Sequence, residues 1–330
     1  MVLAGDIGGT NTRLALFEGT PERLTPSAIE IFPSREHSGL EEIVKSFIAK
    51  HKQTPDAACF GIAGAIRDGT VEATNLPWVV NVKTLVADLG IERISLINDL
   101  EANAHGVVML SPSDFVVVNA GVAIHGGSRA LISAGTGLGE AGLLAEKDGS
   151  YRPFPSEGGH ADFAPNNELE IELLRYLMDR FGHVSYERVL SGPGLFNIYQ
   201  FLRDTNRAEA PGWLAEAMEK GDPSAAVAKA GLEDACAIGV KALDMFVSIY
   251  GAAAGNLALQ VVATGGIFVG GGIAPKIIAK LNGPAFLKAF QAKGRASALL
   301  KDIPVRVITN DKTALLGAGR VAAVSLANKN

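Results

Sequence analysis

The sequence predicts an α/β protein of two domains, the larger one carrying a helical insertion. Three observations predict it. Strand-like apolar runs alternate with helix-spaced runs through residues 1–110, a glycine-centred hairpin at the N-terminus is echoed once far along the chain, and residues 166–255 keep an almost unbroken helical spacing.

Val2-Leu3-Ala4 runs into Gly5-Asp6-Ile7-Gly8-Gly9-Thr10-Asn11-Thr12-Arg13 and leaves through Leu14-Ala15-Leu16-Phe17, two apolar runs around a tight turn. This is a β-hairpin pattern. Glycine tolerates positive φ and lacks a Cβ, so bare N–H groups and the Thr10 hydroxyl can close on an anion, with phosphate the obvious guest. Ala28 to Phe32 continues as strand, and Leu40, Ile43, Val44, Phe47 and Ile48 fall on one helical face. Ala57 to Ile62 reads as a buried strand. A turn at Arg67-Asp68-Gly69 and a short strand ending at Thr74-Asn75 follow, with Trp78 just beyond. Residues 82–89 predict a helix, residues 93–97 a strand, and Asn98-Asp99 the opening of another helix.

A break at Leu110-Ser111-Pro112-Ser113 sets the domain boundary. Phe115 to Val118 starts a second sheet. It leads to Ala130-Leu131-Ile132-Ser133-Ala134-Gly135-Thr136-Gly137-Leu138-Gly139-Glu140, which repeats the plan of strand, glycine turn and strand. Helices then fill 166–255. Residues 251–275 hold no charge, but Asn256, Gln260, Thr264 and two glycine groups argue for a buried helix, strand and loop rather than a membrane span. The cluster from Gly265 to Ile273 follows an apolar run expected as strand and precedes a helix expected at 275–281; it is either a plain connection or a platform on which an adenine and ribose rest. A strand at 305–308 and a helix at 314–326 close the chain, the helix expected to return to the first domain. The expected domains are therefore 1–110 plus 311–330, small and α/β, and 111–310, large and α+β, with the active site in the cleft between them.

With 330 residues, 48% hydrophobic and 20% charged, the chain has the composition of a globular protein, and its formal net charge of −5 disfavours nucleic acid or an anionic membrane as main partner. Any phosphate site must be locally built. Cys59 and Cys236 lack metal or disulfide spacing and read as reduced core residues. Asp6 interrupts the first apolar run and no basic segment precedes it, so no secretory signal is expected and the location expected is cytoplasmic. Neither glycine turn is a Walker loop, and the second lacks the strand-to-helix setting of a dinucleotide fingerprint. Two facing hairpins fit the two ends of a triphosphate, with Asp6 in reach of the metal that bridges the phosphates.

Asp6-Ile7-Gly8-Gly9-Thr10-Asn11-Thr12-Arg13, Ile97-Asn98-Asp99, Gly135-Thr136-Gly137-Leu138-Gly139, Ser156 to Pro165, Glu187 to Gly194 and Gly265-Gly266-Ile267 occur in an order that resembles the bacterial glucokinase family over nearly the whole chain. The resemblance implies an actin-like (ribonuclease H-like) two-domain sugar kinase fold. It also implies ATP-dependent phosphorylation of glucose at the 6-hydroxyl, Mg²⁺ with the nucleotide, and a homodimer. Asp99 then matches the catalytic base. Asn98, Asp99, Glu157, His160 and Glu187 match the sugar-binding positions, with Asn75 approaching from the first domain. Asp6, Gly8, Gly9, Thr10, Asn11, Gly135, Thr136, Gly137, Gly265, Gly266 and Ile267 match the nucleotide side, Asp6 acting on the metal only indirectly. Asp99 and Asn98 equally suit a helix cap, a role compatible with catalysis.

The chain departs from the family's usual pattern at Ala65, often proline, and at Leu100, often aromatic; neither removes a polar group. The cysteine-rich zinc motif of the related ROK kinases and repressors is absent, so no structural metal is expected. The other reading is a non-catalytic sugar sensor or nucleotide-switched binding protein on the same fold. A DNA-acting sensor would need a helix-turn-helix, for which there is no room before Asp6.

Overall fold

The computed structural model describes residues 1–327; the last three residues of the 311–330 segment lie outside the described residues. The chain divides into two compact units, Met1–Ser113 with Asn310–Asn330, and Asp114–Thr309.

In the first unit, β1 (Val2–Ile7), β2 (Asn11–Thr20) and β3 (Arg23–Pro33) form an antiparallel meander, followed by α1 (Leu40–His51), β4 (Ala57–Ile62), β5 (Thr70–Glu72), β6 (Val79–Asn81), α2 (Val82–Leu89), β7 (Ile94–Asn98) and α3 (Asp99–Val107). The main sheet has the order β3-β2-β1-β4-β7, with β4 parallel to both β1 and β7. Every residue of β4 is buried, as a parallel strand covered on both faces requires. The period of two sorts the strands cleanly. Leu3, Ile7, Ala58, Phe60 and Ile62 face a core shared with Ile43, Val44 and Phe47 of α1, whereas Val2, Ala4, Ala57 and Cys59 face Leu315, Ala318 and Ala322 of the C-terminal helix.

The second unit contains β8 (Phe115–Asn119), β9 (Arg129–Ala134), β10 (Leu138–Ala145), β11 (Tyr151–Ser156), α4 (Glu168–Phe181), α5 (Gly192–Asp204), α6 (Gly212–Lys220), α7 (Pro223–Leu232), α8 (Ala237–Gln260), β12 (Gly266–Gly270), α9 (Ile278–Leu281), α10 (Pro284–Gln291), α11 (Ser297–Asp302) and β13 (Val305–Ile308); the C-terminal helix is α12 (Thr313–Ala327). Its sheet runs β11-β10-β9-β12-β13-β8. From β9 onward this is the topology of the first sheet again: a meander whose first strand is central, then two parallel strands on its other side. β8 is added antiparallel at the edge. The echo read in the glycine turns is thus an echo of whole sheets.

α8 is 24 residues long and apolar enough to cross a membrane, but 67% of its most apolar stretch is buried inside the unit, where Phe246, Tyr250 and Leu257 are core residues. Three expectations change here. The run before Gly265, expected as strand, is the end of α8, and the strand is Gly266–Gly270 itself. The helix expected at 275–281 splits into a 3-10 turn, Ala274–Ile277, and α9. β11 was not anticipated, because Pro153 and Pro155 obscure its alternation; on the edge of a sheet a missing N–H costs little.

Candidate active site

In the first unit the β1–β2 turn is braced from below. Gly8 N donates to Asn11 O at 3.0 Å and Ser34 N to Thr10 O at 2.9 Å. The Ser34 hydroxyl donates to Gly8 O at 2.7 Å and lies 3.0 Å from Thr12 Oγ1. Ser34 and Thr12 are fully buried, so the brace leaves Thr10 and Asn11 exposed above it. Sequence reasoning missed Ser34, an isolated serine after a strand. It also expected positive φ in the turn, yet neither Gly8 nor Gly9 adopts one. The requirement is space: a methyl group on Gly9 would stand 2.6 Å from Asn75 Cβ. Asn75 therefore touches the turn, and with Arg35, His37, Thr74 and Trp78 it lines a hollow of about 530 Å³.

Asp6 lies beside Gly61 of β4, which pairs with Ile97 of β7, one residue short of Asn98. That register brings Asp6 and Asp99 to the same carboxyl end of the parallel strands, where α/β sheets present ligand-binding groups. Burial pushes the Asp6 carboxyl up to about 6, opposed by Arg13 and reinforced by the Asp99 and Asp311 charges. Arg13 stands 3.9 Å from Asp6 and donates to Asp311 O at 2.7 Å. Leu100 N donates to both Asn98 Oδ1 and Asp99 Oδ1 at 2.9 Å, so the helix cap is real, and Asn98 Nδ2 reaches Gly64 O at 3.4 Å.

In the second unit the β9–β10 turn is closed by Gly135 N donating to Gly137 O and is fastened to the start of α5 by Gly192 N donating to Gly135 O, both at 2.8 Å. Thr136 is exposed. Again the glycine makes room, since a methyl on Gly137 would stand 2.6 Å from Glu187 Oε2. That oxygen accepts from Leu138 N at 3.0 Å, joining a predicted sugar residue to the predicted phosphate turn. Glu157 and His160 flank the 3-10 turn Gly158–His160, exposed, with Nε2 and Oε2 3.8 Å apart. Gly159 packs on Leu138 O, where a methyl would sit at 2.0 Å. The unit thus brings Glu157, His160 and Glu187 together around one turn.

Gly265, Gly266 and Ile267 are not part of that grouping. Gly266 pairs with Arg129 at the start of β9, while Gly270 pairs with Ser133 near the turn. The β12 rise separates those ends by roughly 13 Å. Ile267 is fully buried and Gly265 is packed on Gly127. The glycines at the turn are Gly270-Gly271-Gly272: Gly271 takes φ +85° against Ala134, and Ile273 N donates to Ala134 O at 3.2 Å. Of the Gly265–Ile273 cluster it is Gly270-Gly271-Gly272, not Gly265–Ile267, that lies beside the β9–β10 turn. Glu140 was also missed. It is 5% exposed, its carboxyl lies under Gly158, and burial pushes it up to about 7. The signal for it was a carboxylate on the strand face it shares with Leu138 and Gly142.

Two sheets of one topology, each with a glycine turn after its central strand beside polar loops, are the pattern of the actin-like ATPase fold, to which sugar phosphotransferases belong. The glucokinase family model matches residues 3–325. A glucokinase of Nostoc sp. is 42% identical over 98% of this chain and 99% of its own length. The crystal structure of a glucokinase from an Antarctic psychrotroph superposes with a TM-score of 0.86 at 31% identity, covering 97% of this chain and 98% of that one. A ROK family glucokinase from Streptomyces griseus, in complex with glucose and AMPPNP, shares the fold at a TM-score of 0.62 and 19% identity, over 97% and 98% of the two chains. This chain belongs to the glucokinase family.

Proposed function

We propose that this chain phosphorylates glucose at its 6-hydroxyl with ATP, and that Asp99 is the general base. A sugar hydroxyl is a weak nucleophile; a carboxylate that accepts its proton while the γ-phosphoryl transfers in line answers the main chemical difficulty. Asn98, Asp99 and Asn75 on the first unit and Glu157, His160 and Glu187 on the second bind the sugar, each pairing donors or acceptors with adjacent hydroxyls. The backbone of Gly8, Gly9, Thr10 and Asn11 and of Gly135, Thr136 and Gly137 holds phosphates, and Gly270-Gly271-Gly272 carries the adenosine. Family membership sets the reaction class. The observation that carries the residue assignment is the Leu138 N to Glu187 contact, which fixes a sugar carboxylate against a phosphate turn.

Among the described residues no group of three or more His, Cys, Asp or Glu side chains would hold a metal by itself. Asp6 at the strand end, near Asp99 and Asp311, fits an ion that arrives on the nucleotide and is touched through water. Mg²⁺ so bound would supply neutralisation of the phosphate charge. The reading also includes a homodimer working in the cytoplasm, the first of which sedimentation at micromolar concentration tests.

A coupled assay of several hexoses against ATP, ADP and polyphosphate tests the central claim. Glucose with ATP should give the highest kcat/KM. Binding of glucose by calorimetry with no turnover under any donor would instead establish a sensor.

A further inference from the structure

The sugar-side carboxylates stand on two short 3-10 turns, Gly158–His160 and Tyr186–Arg188, which have little hydrogen bonding of their own to hold them. One residue joins them. Tyr186 N donates to Ala161 O at 2.9 Å, just past the first turn, and Tyr186 O accepts from Val189 N and Leu190 N, closing the second around Glu187. Its side chain is 7% exposed, with Phe163 edge-on at 5.8 Å.

The ring is anchored at its far end by a polar chain inside the core of the second unit. Asn256 Nδ2 donates to the Tyr186 hydroxyl at 2.7 Å. Lys293 Nζ donates to Asn256 Oδ1 at 2.6 Å and to Ala252 O at 3.0 Å. Asn256 is the polar residue that interrupts the charge-free stretch of α8, and Lys293 follows α10. Burial lowers the Lys293 ammonium, with the Glu170 charge opposing. A cation that donates to the amide oxygen leaves the amide with only its NH₂ to offer the tyrosine, so the chain has a fixed direction. A part-buried network of this kind persists where each member is satisfied, and losing one member costs the others their partners.

We infer that Asn256, oriented by Lys293, is a positioning residue for sugar recognition: it holds Tyr186, and through Tyr186 it sets where Glu187 and the Glu157–His160 turn stand. This rests on the reading of Glu187 as a sugar contact. The nucleotide side of the unit meets Glu187 through Leu138 N but keeps two fastenings of its own, Gly192 N on Gly135 O and Ile273 N on Ala134 O. The network should therefore act on the sugar and leave ATP alone.

The test uses Tyr186→Phe, Asn256→Leu, the double variant, and Glu187→Gln as reference, in steady state with glucose and ATP varied separately. Expected are a five- to twentyfold rise in glucose KM for each of the first two, ATP KM within twofold of the parent, and a double variant no worse than the poorer single one. That non-additivity marks a shared path. A purely packing role would move both KM values or only the melting temperature. Glucose KM within twofold in Tyr186→Phe while Glu187→Gln raises it overturns the positioning role alone. Glucose KM unchanged in Glu187→Gln overturns the sugar-contact reading and this inference with it. Because Asn256→Leu can unfold the core, Tyr186→Phe, which removes one hydroxyl, decides the matter by itself.

Discussion

Adding one methyl group at Gly137 tests whether the second glycine turn serves conformation or recognition. Gly137 does not occupy the left-handed region, so alanine fits its backbone and should gain roughly 0.4–1 kcal/mol through the unfolded chain. Its Cβ would stand 2.6 Å from Glu187 Oε2 and 3.5 Å from Cδ. The obstruction is the end of a flexible side chain, so the carboxylate swings away and the fold survives. What is lost is the 3.0 Å bond from Leu138 N. A hydrogen bond to a charged group is worth about 1.5–3 kcal/mol. At about 1.4 kcal/mol per decade, Gly137→Ala should lower kcat/KM for glucose between roughly tenfold and a hundredfold. The lost bond outweighs the unfolded-chain gain by roughly 0.5–2.6 kcal/mol, so Tm should fall only modestly, and steady-state kinetics with glucose varied at saturating ATP reads the rest. A variant with kcat/KM within threefold of the parent would refute the coupling of turn to sugar site. A large loss of Tm would show instead that the turn itself cannot take a side chain.

Three other outcomes follow from the geometry. Asp99→Asn keeps an oxygen to accept from Leu100 N, so Tm and glucose affinity by calorimetry should hold while kcat falls on the order of 10²–10⁴-fold; retention of more than a few per cent of kcat removes Asp99 as base. A methyl on Gly272 meets nothing within 4 Å, whereas one on Gly265 would stand 2.3 Å from Gly127 O. Gly272→Ala should therefore raise ATP KM with Tm unchanged and Gly265→Ala should lower Tm, and the opposite pattern would return the adenosine platform to Gly265–Ile267. Glu140 binds its proton more tightly folded, at about 7, than in its ordinary range near 4.5. The stability this supplies is complete below about pH 4.5 and lost as pH rises through about 7. Unfolding free energies of Glu140→Gln from denaturant melts should match the parent near pH 4.5 and exceed it by up to about 3 kcal/mol at pH 8; equal values across that range would mean that the carboxyl is solvated.

The hairpins, the buried parallel strands and the run of helices were legible because each depends on local periodicity or on glycine beside β-branched and apolar neighbours. The bounds of α2 and the opening of α3 at Asn98-Asp99 were readable for the same reason, since caps are local. What escaped was set by partners distant in sequence. Ser34 braces a turn 26 residues earlier, and nothing near it in the chain announces this. Of the two reasons for glycine in these turns, positive φ and a missing Cβ, the structure uses the second at Gly9 and Gly137, for clearance of Asn75 and Glu187, partners the sequence could not name. The strand at 266–270 was misplaced because an apolar helix end and an apolar strand look alike over so few residues. The glycine group beside the β9–β10 turn therefore lies at the other end of β12 from Gly265–Ile267.

The two units share more than a topology, and differ where the chemistry requires it. In each, the turn after the central strand is held from beneath, and a glycine in it abuts a polar residue of a separate loop: Gly9 with Asn75, Gly137 with Glu187. Under the proposed assignment, the phosphate turn and a sugar residue of each unit are therefore in direct contact. The flanking strands break the likeness. Asp6 faces Arg13 across the first hairpin, whereas the corresponding positions of the second are Ser133 and Gly139. A carboxylate beside a phosphate turn repels the nucleotide unless a cation stands between them. On the second turn the neighbouring carboxylate, Glu187, is held by Leu138 N, whereas Asp6 has the Asp99 charge beside it, so the demand for a cation is greater at the first turn.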